Sequence, residues 1–362
     1  MKVAVFHNFM DNIGGAEMVG LTLANELKAD FYSTNIDEEK IRKMGFKDTK
    51  VISIGKIPVN APFRQQAALM RFRALDLRNK YDFFIIGGDW AISGAIHNKP
   101  NLWYVHSPIR EIWDLYQYTR QNTVPWYLRW GFDGWVGCNR YFNRKYIQHV
   151  DKLACNSLNT RNRIKKYLGR EAAVIHPPIK TTQFFYRGNG DYWLSVNRLI
   201  THKRVDMQME AFSRLPDERL IVIGSHEQSG HFQRYADHIR KKKPKNVEII
   251  SWVDRKQLLE FYADCKGFIS TSLDEDFGMA VVEAMASGKP VIAPNEGGYK
   301  ETMVDGVTGK LTNGTTIDEL IAAIREVGKN PQKYQDACLA QARQFDTAVF
   351  IHRIKEQIGW RE

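Results

Sequence analysis

The sequence has only four cysteines, Cys138, Cys155, Cys265 and Cys338, widely separated and without a C-x-x-C pair. That excludes a disulfide framework or a zinc knuckle as the basis of the fold, and four reduced, mostly buried thiols are expected. No apolar run approaches the ~18 residues that a membrane-spanning helix needs. Nor is a leader expected. Met1-Lys2-Val3-Ala4-Val5-Phe6 runs at once into polar His7-Asn8, so the segment reads as a first β-strand and the expected compartment is the cytoplasm. Two phosphate-binding patterns are absent. No G-x-x-x-x-G-K-[ST] occurs, which disfavours a P-loop NTPase. No G-x-G-x-x-G follows the first strand, which disfavours a standard dinucleotide dehydrogenase.

What is present is a chain of 362 residues, 43% apolar and 26% charged. That length fits two domains of about 150–200 residues, each with a core of its own. The net charge of +11 is uneven. Residues 1–190 hold 28 Lys and Arg against 16 Asp and Glu, and residues 191–362 hold 24 against 25. All the excess positive charge lies in the first half. It calls for an anionic partner there: a membrane surface, a phosphorylated lipid or nucleic acid.

Short β-branched or aromatic runs alternate with helical stretches. Strands are expected at 3–6, 30–32, 51–54, 83–86, 102–105, 152–156 and 173–176, with helices at 16–27 and 63–80. After a polar linker at 181–191 the pattern restarts, with strands at 192–196, 220–223, 247–250, 267–270 and 290–293. Helices are expected between them near 205–215, 231–241, 255–263 and 279–287. Such alternation implies parallel sheets covered by helices. The expected fold is therefore α/β, two Rossmann-like doubly wound domains facing across a cleft. Ligands of such sheets sit beyond the carboxyl ends of the strands.

Three segments carry chemistry. Asn12-Ile13-Gly14-Gly15-Ala16-Glu17 opens the first helix, and its glycines let backbone approach an anion at the helix N-terminus. Glu275-Asp276-Phe277-Gly278-Met279-Ala280 leads into a second helix that holds Glu283. The N–H groups around Gly278, Met279 and Ala280 suit a diphosphate, and the two carboxylates suit sugar and ribose hydroxyls. Asn197-Arg198-Leu199-Ile200-Thr201-His202-Lys203-Arg204 follows a strand, and the Arg198 fork with the Lys203 point charge suits a departing diphosphate. Each segment by itself also fits an ordinary turn or a solvated surface.

Taken together these segments resemble the retaining glycosyltransferases of family 4, which have the two-domain GT-B architecture. Gly14-Gly15-Ala16-Glu17 resembles the family's N-terminal loop, Asn197-Arg198-Leu199 with Lys203 its diphosphate clamp, and Glu275…Glu283 its E-x7-E signature, with Asp276 where Gly is commoner. Gly297-Gly298 followed by Glu301, and Gly306…Gly309, fit its closing turns. Tyr104-Val105-His106-Ser107-Pro108-Ile109-Arg110 and then Trp113-Asp114 resemble a segment of mannosyltransferases that build O-antigen and lipid-linked glycans. Phe345-Asp346 and Phe350…Arg353-Ile354 resemble the final helix that returns to the first domain.

The resemblance implies an N-terminal acceptor-binding domain at 1–183, joined by the returning helix 346–362, and a nucleotide-sugar-binding domain at 184–345. It implies that Glu275 holds the donor sugar, Glu283 the ribose, and Arg198 and Lys203 the diphosphate. His106 would contact the donor sugar near the reacting carbon, and Trp252-Val253 would lie beside the base. The implied activity is hexose transfer with retention, mannose from GDP-mannose being favoured, to a glycan or polyprenyl-linked acceptor. A UDP-sugar transferase, an epimerase of the same fold and a nucleic-acid-binding protein remain alternatives. Asp274-Glu275-Asp276 reads as D-x-D, a metal-binding pattern of another architecture. In this architecture the helix N-terminus and the Arg/Lys pair take the metal's place, so neither metal nor cofactor is expected.

Two stretches of the first half combine cations with aromatic residues. Arg64, Arg71, Arg73, Arg78 and Lys80 accompany Phe63, Leu69, Met70, Phe72 and Leu75. Across 118–146, Trp126, Tyr127, Trp130, Phe132, Trp135, Tyr141 and Phe142 interleave with Arg120, Arg129, Arg140, Arg144 and Lys145. This composition fits peripheral binding to the inner face of an anionic membrane and fits a core insertion equally.

Overall fold

The computed structural model describes residues 1–224, 230–251, 253–314 and 316–360. It divides into two compact units: Met1–Pro178 together with the chain from Phe350, and Ile179–Val349.

The first unit is built on a seven-stranded sheet of β1 (Val3–Phe9), β2 (Asp30–Thr34), β3 (Val51–Ser53), β4 (Phe83–Ile86), β5 (Asn101–Val105), β6 (Lys152–Cys155) and β7 (Ala173–Val174). The strands lie in the order β3-β2-β1-β4-β5-β6-β7, and every pairing is parallel. Val5 sits between Phe31 and Ile85, which sets the register of the central three strands. Parallel neighbours need crossovers. These carry α1 (Gly15–Glu26), α2 (Glu38–Lys43), α3 (Phe63–Arg73), α4 (Tyr116–Asn122), α5 (Arg129–Tyr146) and α6 (Leu158–Leu168). β4 and β5 are buried along their whole length, as expected for strands covered on both faces. α6 shows the local logic of a helix. Ser157 caps its start by accepting from the Thr160 N–H, and Gly169 closes it at φ +66.

The second unit is a six-stranded parallel sheet of β8 (Tyr192–Val196), β9 (Arg219–Ile223), β10 (Val247–Ile250), β11 (Gly267–Ile269), β12 (Val291–Pro294) and β13 (Gly309–Thr312). Their order is β10-β9-β8-β11-β12-β13. Its helices are α7 (Val205–Ser213), α8 (Gly230–Lys242), α9 (Arg255–Asp264), α10 (Met279–Ala286), α11 (Tyr299–Thr302), α12 (Ile317–Gly328) and α13 (Gln335–Arg343). A reciprocal capping box of Asp254 and Gln257 starts α9. The last helix, α14 (Thr347–Ile358), starts in the second unit, and from Phe350 the chain belongs to the first, where the Phe350 ring meets Tyr104 of β5 edge-on at 5.6 Å.

The expected doubly wound α/β architecture is present in both units. One helix is shorter than expected: α3 ends at Arg73, not at Lys80. The Asn98 side chain binds the Leu75 carbonyl and the Leu77 N–H, and so takes backbone groups that a continuing helix would need. The stretch 118–146 is helical, as α4 and α5. Cys155, Cys265 and Cys338 are buried and Cys138 is exposed.

Candidate active site

The order of the second sheet reverses between β8 and β11, where the chain leaves one strand in each direction and opens a crevice. The two exits are tied to one another. The Thr271 hydroxyl bonds to the carbonyls of Lys203 and Arg204, both at 2.9 Å, and Leu273 N–H donates to His202 O at 2.8 Å. Arg204 adopts φ +50, left-handed backbone that costs a non-glycine residue about 1–2 kcal/mol. Its side chain offsets that cost. Nε donates to Thr271 O at 2.7 Å, Nη2 donates to Ser272 O at 3.1 Å, and the fork pairs with Glu296. Glu296 in turn accepts from Asp274 N–H at 3.1 Å.

This cross-link brings Lys203 and Glu275 together. Lys203 Nζ lies 2.5 Å from Glu275 Oε2, and both side chains are largely shielded. Burial alone would raise the Glu275 carboxyl. The Lys203 ammonium outweighs burial through charge and hydrogen bonding and holds the carboxyl at about 2. Arg198 stands exposed at the end of β8 in the same loop.

Gly278 precedes α10 at φ +90, and a Cβ there would lie 2.7 Å from the Tyr299 ring. Only glycine fits, so the first-turn N–H groups of Met279 and Ala280 are free of side-chain cover from this position. Gly297 and Gly298 pack against the same loop, and Gly298 N–H donates to Glu275 O at 2.7 Å. A Cβ on either would come within 2.4–2.5 Å of the backbone of Glu275 or Asp276–Phe277. Glu283 is fixed by two residues that the sequence did not single out. Tyr262 OH donates to it at 2.9 Å and Arg255 at 3.2 Å. Val253 is half-buried against the core just before α9. Trp252 lies outside the described residues. Among the described residues, no three His, Cys, Asp or Glu side chains converge as metal ligands do.

The first sheet reverses between β1 and β4. Gly14 and Gly15 begin α1 there, with Gly14 in extended backbone as the cap. His7, at the end of β1, lies 3.9 Å from Glu17 of α1 and is 5% exposed. His106 leaves β5 at the neighbouring end. Both imidazoles carry a buried nitrogen without a hydrogen-bond partner among the described residues, Nδ1 of His7 and Nε2 of His106. Burial, then the nearby His7, lowers the His106 imidazole to about 3, against the pull of Glu17. His106 is therefore neutral at physiological pH and offers hydrogen bonds, not charge. The segment behind it is one bonded assembly. His106 O accepts from Asn156 at 2.7 Å, Arg163 donates to Ser107 Oγ at 3.0 Å, and Arg110 pairs with Asp114 at 2.8 Å.

Residues 182–345, most of the second unit, match the family model of the glycosyl transferases group 1. An uncharacterized glycosyltransferase of Methanocaldococcus jannaschii is 26% identical over 193 residues, 53% of this chain and 54% of that protein. A GDP-mannose-dependent α-(1-6)-phosphatidylinositol monomannoside mannosyltransferase of Mycolicibacterium smegmatis is 26% identical over 216 residues, 52% and 56% of the two chains. The matched region thus spans about half the length of these curated relatives. In structure, Anabaena HepE in complex with UDP and glucose superposes with a TM-score of 0.79 at 18% identity over 100% of both chains. That likeness and the two Rossmann-like units give the chain the GT-B fold.

Proposed function

We propose that the chain is a retaining glycosyltransferase that moves a hexose from a nucleoside-diphosphate sugar to an acceptor hydroxyl. One observation carries the reading: a lysine–carboxylate pair and an arginine stand at the switch point of the sheet that the group 1 glycosyltransferase model matches, beside a helix that opens on glycine. In this proposal Arg198, Lys203 and the α10 N–H groups bind the diphosphate and take up the charge that develops as it leaves. Glu275, kept ionised by Lys203, accepts from donor-sugar hydroxyls. Glu283, held by Arg255 and Tyr262, accepts from the ribose. Within the first unit, neutral His106 and the Gly14-Gly15 turn stand at the edge where its own sheet reverses.

The acceptor oxygen forms its bond to the anomeric carbon on the face from which the diphosphate departs. The carbon–oxygen bond to phosphate breaks, and the leaving phosphate oxygen takes the acceptor proton. No carboxylate base is needed, and the Arg/Lys pair with the helix N-terminus supplies the positive charge that a metal supplies elsewhere. Activity that EDTA abolishes and Mg²⁺ restores would overturn metal independence.

Mannose is the favoured sugar and GDP-mannose the favoured donor, on the likeness of the His106–Asp114 segment and of the mycobacterial mannosyltransferase. A UDP-sugar donor is the second reading, since the structure that superposes over the whole chain holds UDP and glucose. The proposed acceptor is a glycan or polyprenyl-linked hydroxyl at the inner face of the cytoplasmic membrane. Thermal unfolding with GDP, UDP and ADP, each without metal and then with Mg²⁺, separates these readings. A ligand at a hundred times its Kd stabilises by about 2.7 kcal/mol. A shift with GDP alone supports mannosyl transfer, and one with UDP alone discards it. No shift with any nucleotide removes the donor site. Donor converted without acceptor would mean an epimerase.

A further inference from the structure

The large apolar residues of 118–146 fall into two sets. Val136 and Tyr146 are buried on the inner side of α5, and Phe132, Trp135 and Phe142 pack half-buried on the same core. Trp126 and Trp130 are instead 78% and 79% exposed, with Tyr127, Leu128 and Tyr141 exposed beside them. Trp130, Gly134, Cys138 and Tyr141 recur at helical spacing, so they share the outer face of α5. On α3, Phe63 and Met70 are 70% and 66% exposed and lie seven residues apart on one face. Gln66 donates to Asn139 at 2.9 Å and so sets α3 alongside α5. Large apolar side chains in such a group are rare on a monomer surface and mark an interaction site.

The charge around this face has one sign. Residues 56–73 and 116–146 hold nine Lys and Arg and a single acid, Asp133. Asp133 is already used, accepting from Arg120 and Tyr116, each at 2.8 Å. Arg71, Arg73, Arg144 and Lys145 are exposed. A second copy on this face would set like charges against each other. Nucleic acid would match the cations but leave Leu128, Met70 and Val59 in water. A bilayer of anionic lipid satisfies both halves, because Trp and Tyr settle at the headgroup level, aliphatic groups reach the acyl boundary and cations meet phosphate.

We infer that this face of α3 and α5 docks on an anionic phospholipid surface. The Trp126–Trp130 turn and Phe63 enter the headgroup layer, and Arg71, Arg73, Arg144 and Lys145 lie over lipid phosphates. The inference deepens the membrane-located acceptor proposed above and rests on that reading for its purpose.

The full chain is floated with vesicles of phosphatidylcholine alone and of phosphatidylcholine mixed with phosphatidylglycerol. Binding is expected on the mixed vesicles only and weakens with salt. The double variant W126S/W130S should lower the partition coefficient roughly tenfold or more. F63S tests the same face from α3, so a double variant that fails to fold does not end the test. A polarity-sensitive dye on Cys138, the exposed cysteine of α5, should shift to the blue on the mixed vesicles. The inference is overturned by wild-type protein that floats with neither vesicle or with both alike. It is overturned equally by binding that W126S/W130S and F63S leave unchanged, and by a dimer in solution that these variants dissociate. Flotation needs no donor, so a chain that floats without a nucleotide shift keeps the docking face and loses glycosyl transfer, and the converse result loses only the face.

Discussion

The two sheets are built alike and finish their carboxyl edges in different ways. In the second unit the edge is charged and cross-linked: Lys203 with Glu275, Arg204 with Glu296, and Arg255 with Glu283. In the first unit it is lined by glycine and by two imidazoles that each hold a buried nitrogen without a hydrogen-bond partner among the described residues. A charge kept out of water needs a counter-charge, so the unit with site charges carries them as pairs, and residues 191–362 are nearly balanced overall. The first half's surplus has no such constraint. Much of it sits on the stretches 56–73 and 116–146.

The comparison breaks first at Lys203. K203A and R198A should each lower kcat/KM by about 2–4 kcal/mol of transition-state stabilisation, measured as donor turnover. An R198A enzyme with kcat/KM intact would remove Arg198 from the site. A smaller loss is expected at the cross-link. R204A takes one donor from Glu296 and from each of two carbonyls and should cost about 2 kcal/mol of stability in urea unfolding. R204G removes the same donor but relieves the left-handed backbone, so it should recover about 1 kcal/mol. Equal losses in the two variants would show that φ at residue 204 is unstrained.

The first unit's edge is probed by pH. The His106 imidazole falls from 6.5 to about 3 on folding. Between those values the unfolded chain binds a proton that the folded chain refuses, so stability declines as pH falls through this window, by up to about 1.4 kcal/mol per pH unit. Glu275 shifts from 4.5 to about 2, so its own loss comes below that range's upper part. H106Q should therefore flatten the slope between pH 6.5 and 5, and an unaltered slope would place a protonated His106 in the fold. The smallest effect belongs to the outer face of α5. W126S/W130S should change unfolding stability by no more than about 0.5 kcal/mol. A larger loss would mean that those rings are core.

Much of this was legible residue by residue. β8 and β10 occupy the expected spans, because a short β-branched run between turn residues has little other use. The E-x7-E spacing and Gly278 lead to α10 for the same local reason. The α3 boundary was not legible, since Asn98, which ends it, lies 23 residues beyond Leu75. Within its loop Arg204 reads as one more cation, and nothing local marks it as the residue that bonds the second loop. Its φ of +50 is a consequence of contacts 67 and 92 residues away.

By itself the sequence determined the two α/β repeats, the turns that only glycine can make and the imbalance of charge, all of which follow from periodicity, backbone sterics and composition over short windows. Tertiary structure decided which charges pair. Lys203 and Glu275 are 72 residues apart, and only the β8–β11 register brings them to 2.5 Å. It also decided which aromatic rings of α5 are core and which face out. Helical spacing sorts rings into faces, but what covers each face depends on where the rest of the chain packs.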